Sequence, residues 1–369
     1  MRGLIRAAAA VAALGCIGAA APTAAPAQSS PSGGTPPSGT NLLNPAISAV
    51  GWFQAEAGDA LSDSGSTAFS FREVEIGFQA NVDPYSRADF FVAVSPEEGI
   101  ELEEATVTFL ALPAGLKAKV GKFRSNFGRF NRTHPPETPF ADRPLAAEAL
   151  FGDEGLSAVG GSASWLLPLP FYANLDAEVT NTPEMEEGGA FTPNRGKDLL
   201  YLGRLSTYFD LSEAANVAIG GSFADGANGA DTLPSDDPPP TINALRARLV
   251  GADLTFRWKN PRRAIYRSLV AQMEWMRRRA DLPLGSDVEA TGGYVWTDFQ
   301  FARRWHAGGR YDWFEGIQGA LGFVTFNPSE FSSISGQIRR DGLNGRSHKD
   351  TLYFLKMTFS IGPHGQHPF

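Results

Sequence analysis

The chain has 369 residues, with 40 Asp and Glu against 32 Lys and Arg and a formal net charge of −8 at pH 7. This acidic balance argues against a nucleic-acid-binding protein, because binding to a phosphate backbone depends on positive charge. The one cysteine, Cys16, lies in the leader described next, so we expect no disulfide bond in the mature protein.

The N-terminus has the features of an export signal. Two arginines precede an apolar run over residues 7–21, and Ala25-Pro26-Ala27 forms a small-residue cleavage site. These features predict a signal peptide over 1–27 and a mature chain that begins at Gln28. A transmembrane anchor is the alternative, but the run is short and has no stop-transfer flank.

The rest of the chain is dominated by a period of two. Residues 171–179 alternate apolar and polar side chains without interruption, which predicts a strand with one dry and one wet face. No later segment holds 18 consecutive apolar residues, so no transmembrane helix is expected. An exported chain built from such strands predicts a transmembrane antiparallel β-barrel, with lipid outside and water inside.

Sixteen strands are predicted, after a Ser-, Pro- and Gly-rich lead-in over 28–45 that we expect to be flexible. Most strands reach the length of about 9–11 residues that crosses a bilayer when tilted. Because the alternation is weak in places, fourteen or eighteen strands remain open. The barrel is predicted over 46–362, with strands at 46–57, 67–82, 85–95, 99–112, 114–124, 156–168, 170–180, 197–211, 214–224, 241–258, 266–280, 289–302, 304–314, 317–326, 331–340 and 347–361.

The predicted connections alternate in length. Tight turns fall at 83–84, 112–114 and 260–261, and longer segments lie between them, of which 125–155 is the longest. Short turns at one rim and long loops at the other are typical of outer-membrane barrels. The even strand count places both termini at the periplasmic rim.

Two strands allow finer predictions. Trp305 and Trp313 share one face and, at about 3.3 Å per residue and a tilt of about 40°, differ in height by roughly 20 Å, which predicts opposite aromatic girdles. In strand 241–258 the apolar phase changes between Leu249 and Leu254. This change predicts a β-bulge near Val250.

Charged residues at inward positions are predicted to line a water-filled lumen, since Lys or Arg facing lipid near the midplane costs about 2–4 kcal/mol. The segment 125–155 adds opposed charges, and a loop of this length is usually functional or disordered. Opposed charges at a constriction decide ion preference. The predicted lining and constriction residues are Glu73, Glu75, Lys117, Lys119, Arg129, Arg132, Asp142, Arg143, Arg246, Arg248, Arg310 and Asp312.

Short motifs recur in a characteristic order along the chain. They include 71–78 (FREVEIGF), 82–85, 103–105, 112–113, 121–123, 127–131, 142–144, 152–156, 310–312 and 327–331. In this order they resemble the outer-membrane porins of the phosphate-selective porin O and P type. The resemblance is closer to a divergent branch often labelled as zinc-regulated outer-membrane receptors.

This resemblance implies a sixteen-stranded and trimeric barrel in the bacterial outer membrane. It also implies a third external loop that folds into the lumen and narrows it, and passive diffusion of small hydrophilic solutes or ions. The implied partners are outer-membrane lipid and the barrel-assembly machinery. Because the arginines are mixed with carboxylates, the resemblance leaves phosphate selectivity open.

The sequence leaves alternatives to passive diffusion open. A channel specific for phosphate or another anion remains an alternative, as does an outer-membrane receptor for metal uptake. No serine motif accompanies the dispersed histidines, so no enzyme and no catalytic residue is predicted. The sequence also predicts no cofactor and no metal site. A secreted β-sandwich would not require alternating turns and loops.

The C-terminus departs from the strand pattern. Residues 363–369 are expected to form a short periplasmic tail that ends at Phe369. The tail contains His364 and His367, but two flexible histidines without a third ligand are weak evidence for metal binding.

Overall fold

The computed structural model describes residues 45–58, 69–183, 185, 189–193, 198–229, 245–262, 266–282, 287–343 and 350–362. The predicted signal peptide, almost all of the lead-in and the C-terminal tail lie outside these ranges. No helix among the described residues is long and apolar enough to cross a membrane.

Sixteen antiparallel strands close into one barrel, in which each strand pairs with its sequence neighbours and β1 pairs with β16. The predicted fold class and strand count are therefore confirmed. The first eight strands are β1 (Ala46–Gly58), β2 (Phe69–Asp83), β3 (Ser86–Ser95), β4 (Gly99–Phe109), β5 (Leu116–Arg124), β6 (Ser157–Leu166), β7 (Ala173–Asn181) and β8 (Leu199–Ser212). The others are β9 (Ala215–Ala227), β10 (Arg246–Lys259), β11 (Ser268–Asp281), β12 (Asp287–Ala302), β13 (Trp305–Phe314), β14 (Ile317–Ser329), β15 (Ser332–Asp341) and β16 (Thr351–Ile361).

Closure depends on an unbroken ladder between the first and last strands. Their register runs from Ala49 opposite Ile361 to Gly58 opposite Leu352. Closing the sheet removes the free strand edges that would otherwise pair with other chains.

The outer face of the barrel is apolar. Trp305 is exposed near one end of β13, and Trp313 lies near the other end, where its ring would contact a Cβ added to Gly293 on β12. Both rings are on the outer face, as expected of two girdles. Large apolar side chains on this face remain exposed in the isolated chain, including Phe90, Leu175, Leu205, Phe223, Val250, Leu254, Met273, Val295, Tyr353 and Leu355.

Strand β10 corrects one prediction. Its register is continuous against both β9 and β11, so the bulge expected near Val250 is absent from this described strand. Leu249 points inward and is fully buried, whereas Leu254 points outward. The strand is apolar on both faces because protein, rather than water, fills the interior at this height.

The connection between β5 and β6 supplies that filling. It contains 3₁₀ turns at Phe130–Arg132 and Pro135–Glu137 and a helix, α1 (Leu145–Phe151). The periodicity of the sequence did not predict the helix, although its residues are good helix formers that follow Pro144. An apolar cluster joins the connection to the inner face of the barrel through Phe127, Phe130, Phe140, Leu150, Phe151, Leu249, Tyr294, Trp296 and Phe323.

Candidate pore and its constriction loop

Residues 125–155, which we call the constriction loop, contact strands that are far from β5 and β6, between which the loop begins and ends. The backbone N–H of Phe130 donates to Glu274 Oε1 on β11 at 2.7 Å. The N–H of Ala141 donates to Gln337 Oε1 on β15 at 3.0 Å. Since the loop leaves the barrel between β5 and β6, these contacts require it to cross the interior.

Asn131 closes the base of the loop. Its side-chain amide donates to Ser125 O at 2.8 Å and to Leu156 O at 2.9 Å, and its Oδ1 accepts from Leu156 N at 2.7 Å. One amide thus satisfies backbone groups at both ends of a long segment. The chain enters and leaves the interior at the same point.

Asp142 and Arg310 form the anchor to the opposite side of the barrel. Arg310 Nη2 donates to Asp142 Oδ2 at 2.8 Å, and its Nε donates to Asp312 Oδ2 at 2.7 Å. The guanidinium lies 4.5 Å from the ring centroid of Phe140. Arg339 also donates to Asp142 Oδ2. These charge-assisted bonds are largely buried, so Asp142 and Arg310, which are predicted to line the pore or its constriction, also hold the loop in place.

His134 forms a second anchor, on the side of β2 and β4. Its Nδ1 lies 2.8 Å from Glu75 Oε2 and 2.8 Å from Glu103 Oε2. Its Nε2 lies 3.6 Å from Glu104 Oε1. Burial and the charge of Arg124 act to lower the pKa of His134, but the three surrounding carboxylates outweigh them and hold that pKa well above its usual range.

A β-bulge creates this acidic pocket. Opposite β3, Phe91 pairs with Glu104 and Val92 pairs with Leu102, so Glu103 has no partner on that strand. Two consecutive residues on one strand therefore oppose one on the other, which turns both carboxylates inward. Strict alternation predicts that only Glu104 faces the lumen.

Arg143 differs from the other loop cations. Its side chain is buried, and none of its three nitrogen atoms has a hydrogen-bond partner among the described residues. The guanidinium lies 5.3 Å from the ring centroid of Phe130. Burial lowers its pKa to about 10, and Arg124 contributes in the same direction. The group therefore remains charged at neutral pH.

Two cavities lie on opposite sides of one loop segment. A cavity of about 720 Å³ opens toward the short turns and is lined by Arg303 and His306. A cavity of about 290 Å³ opens toward the long loops and is lined by Arg72 and Arg143. Thr138 lines both cavities. The segment 135–139 therefore lies between the two cavities within the barrel.

Lys356 supports this segment from β16. Its Nζ donates to Thr138 O at 2.7 Å and to Phe140 O at 2.9 Å. It also lies 4.3 Å from the ring centroid of Trp52 on β1. The inward position of Lys356 follows from strand alternation, but its contact with the loop depends on residues more than two hundred positions away.

Most of the other predicted lining residues lie on β2, on β5 and within the loop. Glu73 and Glu75 are buried and point inward from β2. Lys119 lies on the inner face of β5, with Nζ 4.5 Å from the ring centroid of Phe123, and Lys117 occupies the same face by alternation. Within the loop, the backbone of Arg129 donates to Glu274, and the side chain of Arg132 is exposed.

The prediction for Arg246 and Arg248 is wrong. Both residues lie on the outer face of β10 near the rim of the long loops, and both donate to Asp225 on β9. The error has a physical cause, because the neighbouring Ala247 and Leu249 occupy the inward positions against the loop's apolar cluster. Beyond the apolar band, a paired arginine on the outer face meets water and lipid headgroups rather than acyl chains.

The sequence did not predict the contacts by which three strand residues hold the loop. Glu274, Gln337 and Lys356 accept from or donate to its backbone. Inward-pointing polar residues on β11, β15 and β16 are a signal for such contacts. Their partners, however, cannot be chosen without the tertiary structure.

No protein-family model matches the chain. An uncharacterized protein of Aquifex aeolicus (strain VF5) is 32% identical over 339 residues, an alignment that covers 82% of this chain and 70% of the Aquifex protein. The two proteins belong to one family.

Solved structures share the fold at low identity. The anion-selective porin from Comamonas acidovorans has a TM-score of 0.55 and 10% identity, covering 86% of this chain and 99% of the porin. Salmonella typhi OmpF in complex with daunomycin has a TM-score of 0.55 and 9% identity, covering 87% and 99%. OmpT of Vibrio cholerae in a trimer form has a TM-score of 0.50 and 8% identity, covering 86% and 99%.

At these identities the likeness shows the fold alone. The family member described here therefore has the sixteen-strand barrel of outer-membrane porins. Its resemblance to the phosphate-selective porin O and P type stays a prediction.

Proposed function

We propose that the protein is an outer-membrane porin through which small hydrophilic solutes or ions diffuse passively. The observation that carries the proposal is the pair of cavities that meet at Thr138 inside a closed barrel. The apolar outer face supports it, because lipid can solvate that face while the polar interior remains in water. No catalytic step is required of such a channel.

We place the mature protein in the bacterial outer membrane after removal of residues 1–27 by signal peptidase. Outer-membrane lipid would then cover the exposed apolar side chains, and the barrel-assembly machinery would insert the chain. A homotrimer is part of the proposal. It is supported by the trimer form of Vibrio cholerae OmpT, whose fold is similar.

We further propose that residues 125–155 form the constriction. Its narrowest part would be the segment 135–139, held by Lys356 on one side. The Asp142–Arg310 anchor and the His134 anchor hold the segment from two other directions. Fixed charges at such a point select ions by sign.

A channel specific for an anion is the second candidate. Arg143 favours it, because this residue lines the cavity that opens toward the long loops and carries a charged guanidinium without a hydrogen-bond partner among the described residues. A metal-uptake receptor is disfavoured, since outer-membrane transporters of that kind have about 22 strands and a plugged lumen.

Liposome swelling and planar-bilayer conductance test the proposal with Thr138→Phe. A phenyl ring at the segment between the cavities is expected to lower single-channel conductance at least twofold. Thr297→Phe, on the exposed outer face of β12, is the matched control and should leave conductance unchanged. Absence of solute flux through the wild-type protein would reject the porin function, and equal conductance of the two variants would reject this constriction.

A further inference from the structure

The constriction loop brings three ligand atoms together inside the barrel. The carboxylate oxygens of Glu75 and Glu103 and the imidazole of His134 lie within 4.8 Å of one another. All three side chains are buried, with residue exposures of 4%, 4% and 8%. The cluster contains both oxygen and nitrogen donors, contributed by two strands and the loop.

The hydrogen bonding of this cluster is incomplete. Nδ1 of His134 carries at most one proton, yet Glu75 Oε2 and Glu103 Oε2 both lie 2.8 Å from it. If Glu103 accepts that proton, Glu75 Oε2 has no other donor among the described residues. A buried carboxylate oxygen without a donor is costly, so the site calls for a further positive group.

The charge balance points in the same direction. Glu73, Glu75, Glu103 and Glu104 all face this part of the interior, and Glu73 Oε1 also has no partner among the described residues. Arg124 Nη2 compensates Glu103 at 2.6 Å, and the more distant cations near the pocket are Lys119 and Lys356. Among the described residues, neither Glu73 nor Glu75 has a lysine or arginine partner within salt-bridge distance.

We propose that Glu75, Glu103 and His134 bind one divalent transition-metal ion of the Zn²⁺ class. Zn²⁺ accepts His nitrogen and carboxylate oxygen at about 2.0–2.2 Å, and three protein ligands leave a fourth position for water. Tetrahedral ligands at those lengths are about 3.3 Å apart. Moving each carboxylate oxygen about half an ångström away from Nδ1 would bring the two 2.8 Å distances to this value, with the ion replacing the proton on Nδ1.

Glu104 completes the arrangement as a positioning residue. Its Oε1 lies 3.6 Å from His134 Nε2, on the side of the ring opposite the ligand nitrogen. A carboxylate in that position fixes the tautomer and raises the basicity of a metal-bound imidazole. The β-bulge at Glu103 is what allows adjacent glutamates to occupy these two roles.

The bound ion would fasten the constriction loop to two strands. Glu75 belongs to β2 and Glu103 to β4, whereas His134 lies in the loop directly before the segment 135–139. A single ion would therefore connect the segment to the barrel wall. Ion binding is a property of the folded chain and does not depend on the proposed diffusion function.

Isothermal titration of the purified, EDTA-treated full-length protein with ZnCl₂ tests the site. We expect one Zn²⁺ per chain and no comparable uptake of MgCl₂, because Mg²⁺ prefers an octahedral set of oxygen ligands. Glu75→Gln, Glu103→Gln and His134→Gln should each weaken Zn²⁺ binding at least tenfold. Glu75→Gln keeps the shape of the side chain and the His134–Glu103 bond, so it is the variant expected to fold normally.

Glu274→Gln is the control, because Glu274 also holds the loop but lies outside the cluster. The affinity of the Glu274→Gln variant for Zn²⁺ should equal that of the wild type. Co²⁺ provides a second readout, with visible absorption bands expected for the wild type and lost in Glu75→Gln. A folded wild-type protein that takes up no Zn²⁺, or equal uptake by wild type and Glu75→Gln, would overturn the proposal.

Discussion

Arg310 on β13 donates to Asp142 of the constriction loop, with Nη2 and Oδ2 separated by 2.8 Å. The two residues are 168 positions apart in the chain, and the loop begins on the opposite side of the barrel. Their contact joins the loop to a strand that lies across the barrel from the base of the loop. The stability of the constriction should therefore depend on this pair.

Arg310→Ala should release the loop and leave Asp142 and Asp312 as buried carboxylates without this partner. Removing one member of a buried ion pair costs about 3–5 kcal/mol. We expect a lower thermal unfolding temperature and a larger, noisier single-channel conductance. Arg277→Ala is the control, because Arg277 pairs with Glu289 on the exposed outer face and such pairs contribute about 0–1 kcal/mol. Similar unfolding temperatures for both variants would contradict the anchor.

Arg143→Met should have the opposite effect on stability. It removes a buried guanidinium that lacks hydrogen bonds within the described structure, and relief of such a group is worth about 1–3 kcal/mol. We expect a higher unfolding temperature and a reversal potential shifted away from anions. Arg132→Met changes an exposed side chain of the same loop and should leave stability unchanged. A less stable Arg143→Met variant would show that the guanidinium has a stabilising partner.

Arg248→Ala tests the assignment of β10. Because Arg248 points outward and pairs with Asp225, its removal should change neither conductance nor ion selectivity. The measurement is the reversal potential in a salt gradient, compared with that of Arg143→Met. A selectivity change as large as in Arg143→Met would mean that Arg248 lines the pore after all.

Gly155→Ala should loosen the base of the loop. Gly155 has φ of +86°, and a Cβ there would approach Asn131 Oδ1 to 2.7 Å. Alanine in such a conformation costs about 1 kcal/mol or more. Gly161→Ala is the control, since its added Cβ would meet no atom closer than 3.8 Å. Thermal unfolding should distinguish the two variants, and equal stability would show that the loop base adapts without strain.

The strand pattern was predictable because it is local. Side chains of a strand alternate between two faces. The alternation of apolar and polar residues therefore begins and ends close to the ends of a strand that faces lipid on one side. The predicted strand 304–314, for example, agrees with β13 to within one residue, and the closing strand predicted at 347–361 contains β16. Tight turns at proline and asparagine positions added an independent local signal. The order of strands followed from their even number and from short connections.

The contacts inside the barrel could not be predicted from alternation. Alternation assigns a face to a residue only while the register is regular, and the bulge at Glu103 reverses that assignment from one residue to the next. The alternation of side chains also cannot distinguish an inward position that contacts water from one that contacts the loop. This ambiguity is why Arg246 and Arg248 were assigned to the lumen in place of Ala247 and Leu249.

The sequence by itself therefore determined the barrel: its strands, most of their boundaries to within a few residues, and the presence of one long connection. Only the tertiary structure decided what fills the barrel, including the pairing of Asp142 with Arg310 and of His134 with Glu75 and Glu103. The physical reason is the distance along the chain between the residues that interact. Strand formation depends on neighbours two residues apart, whereas the contacts of the constriction loop join residues that only closure of the whole sheet brings together.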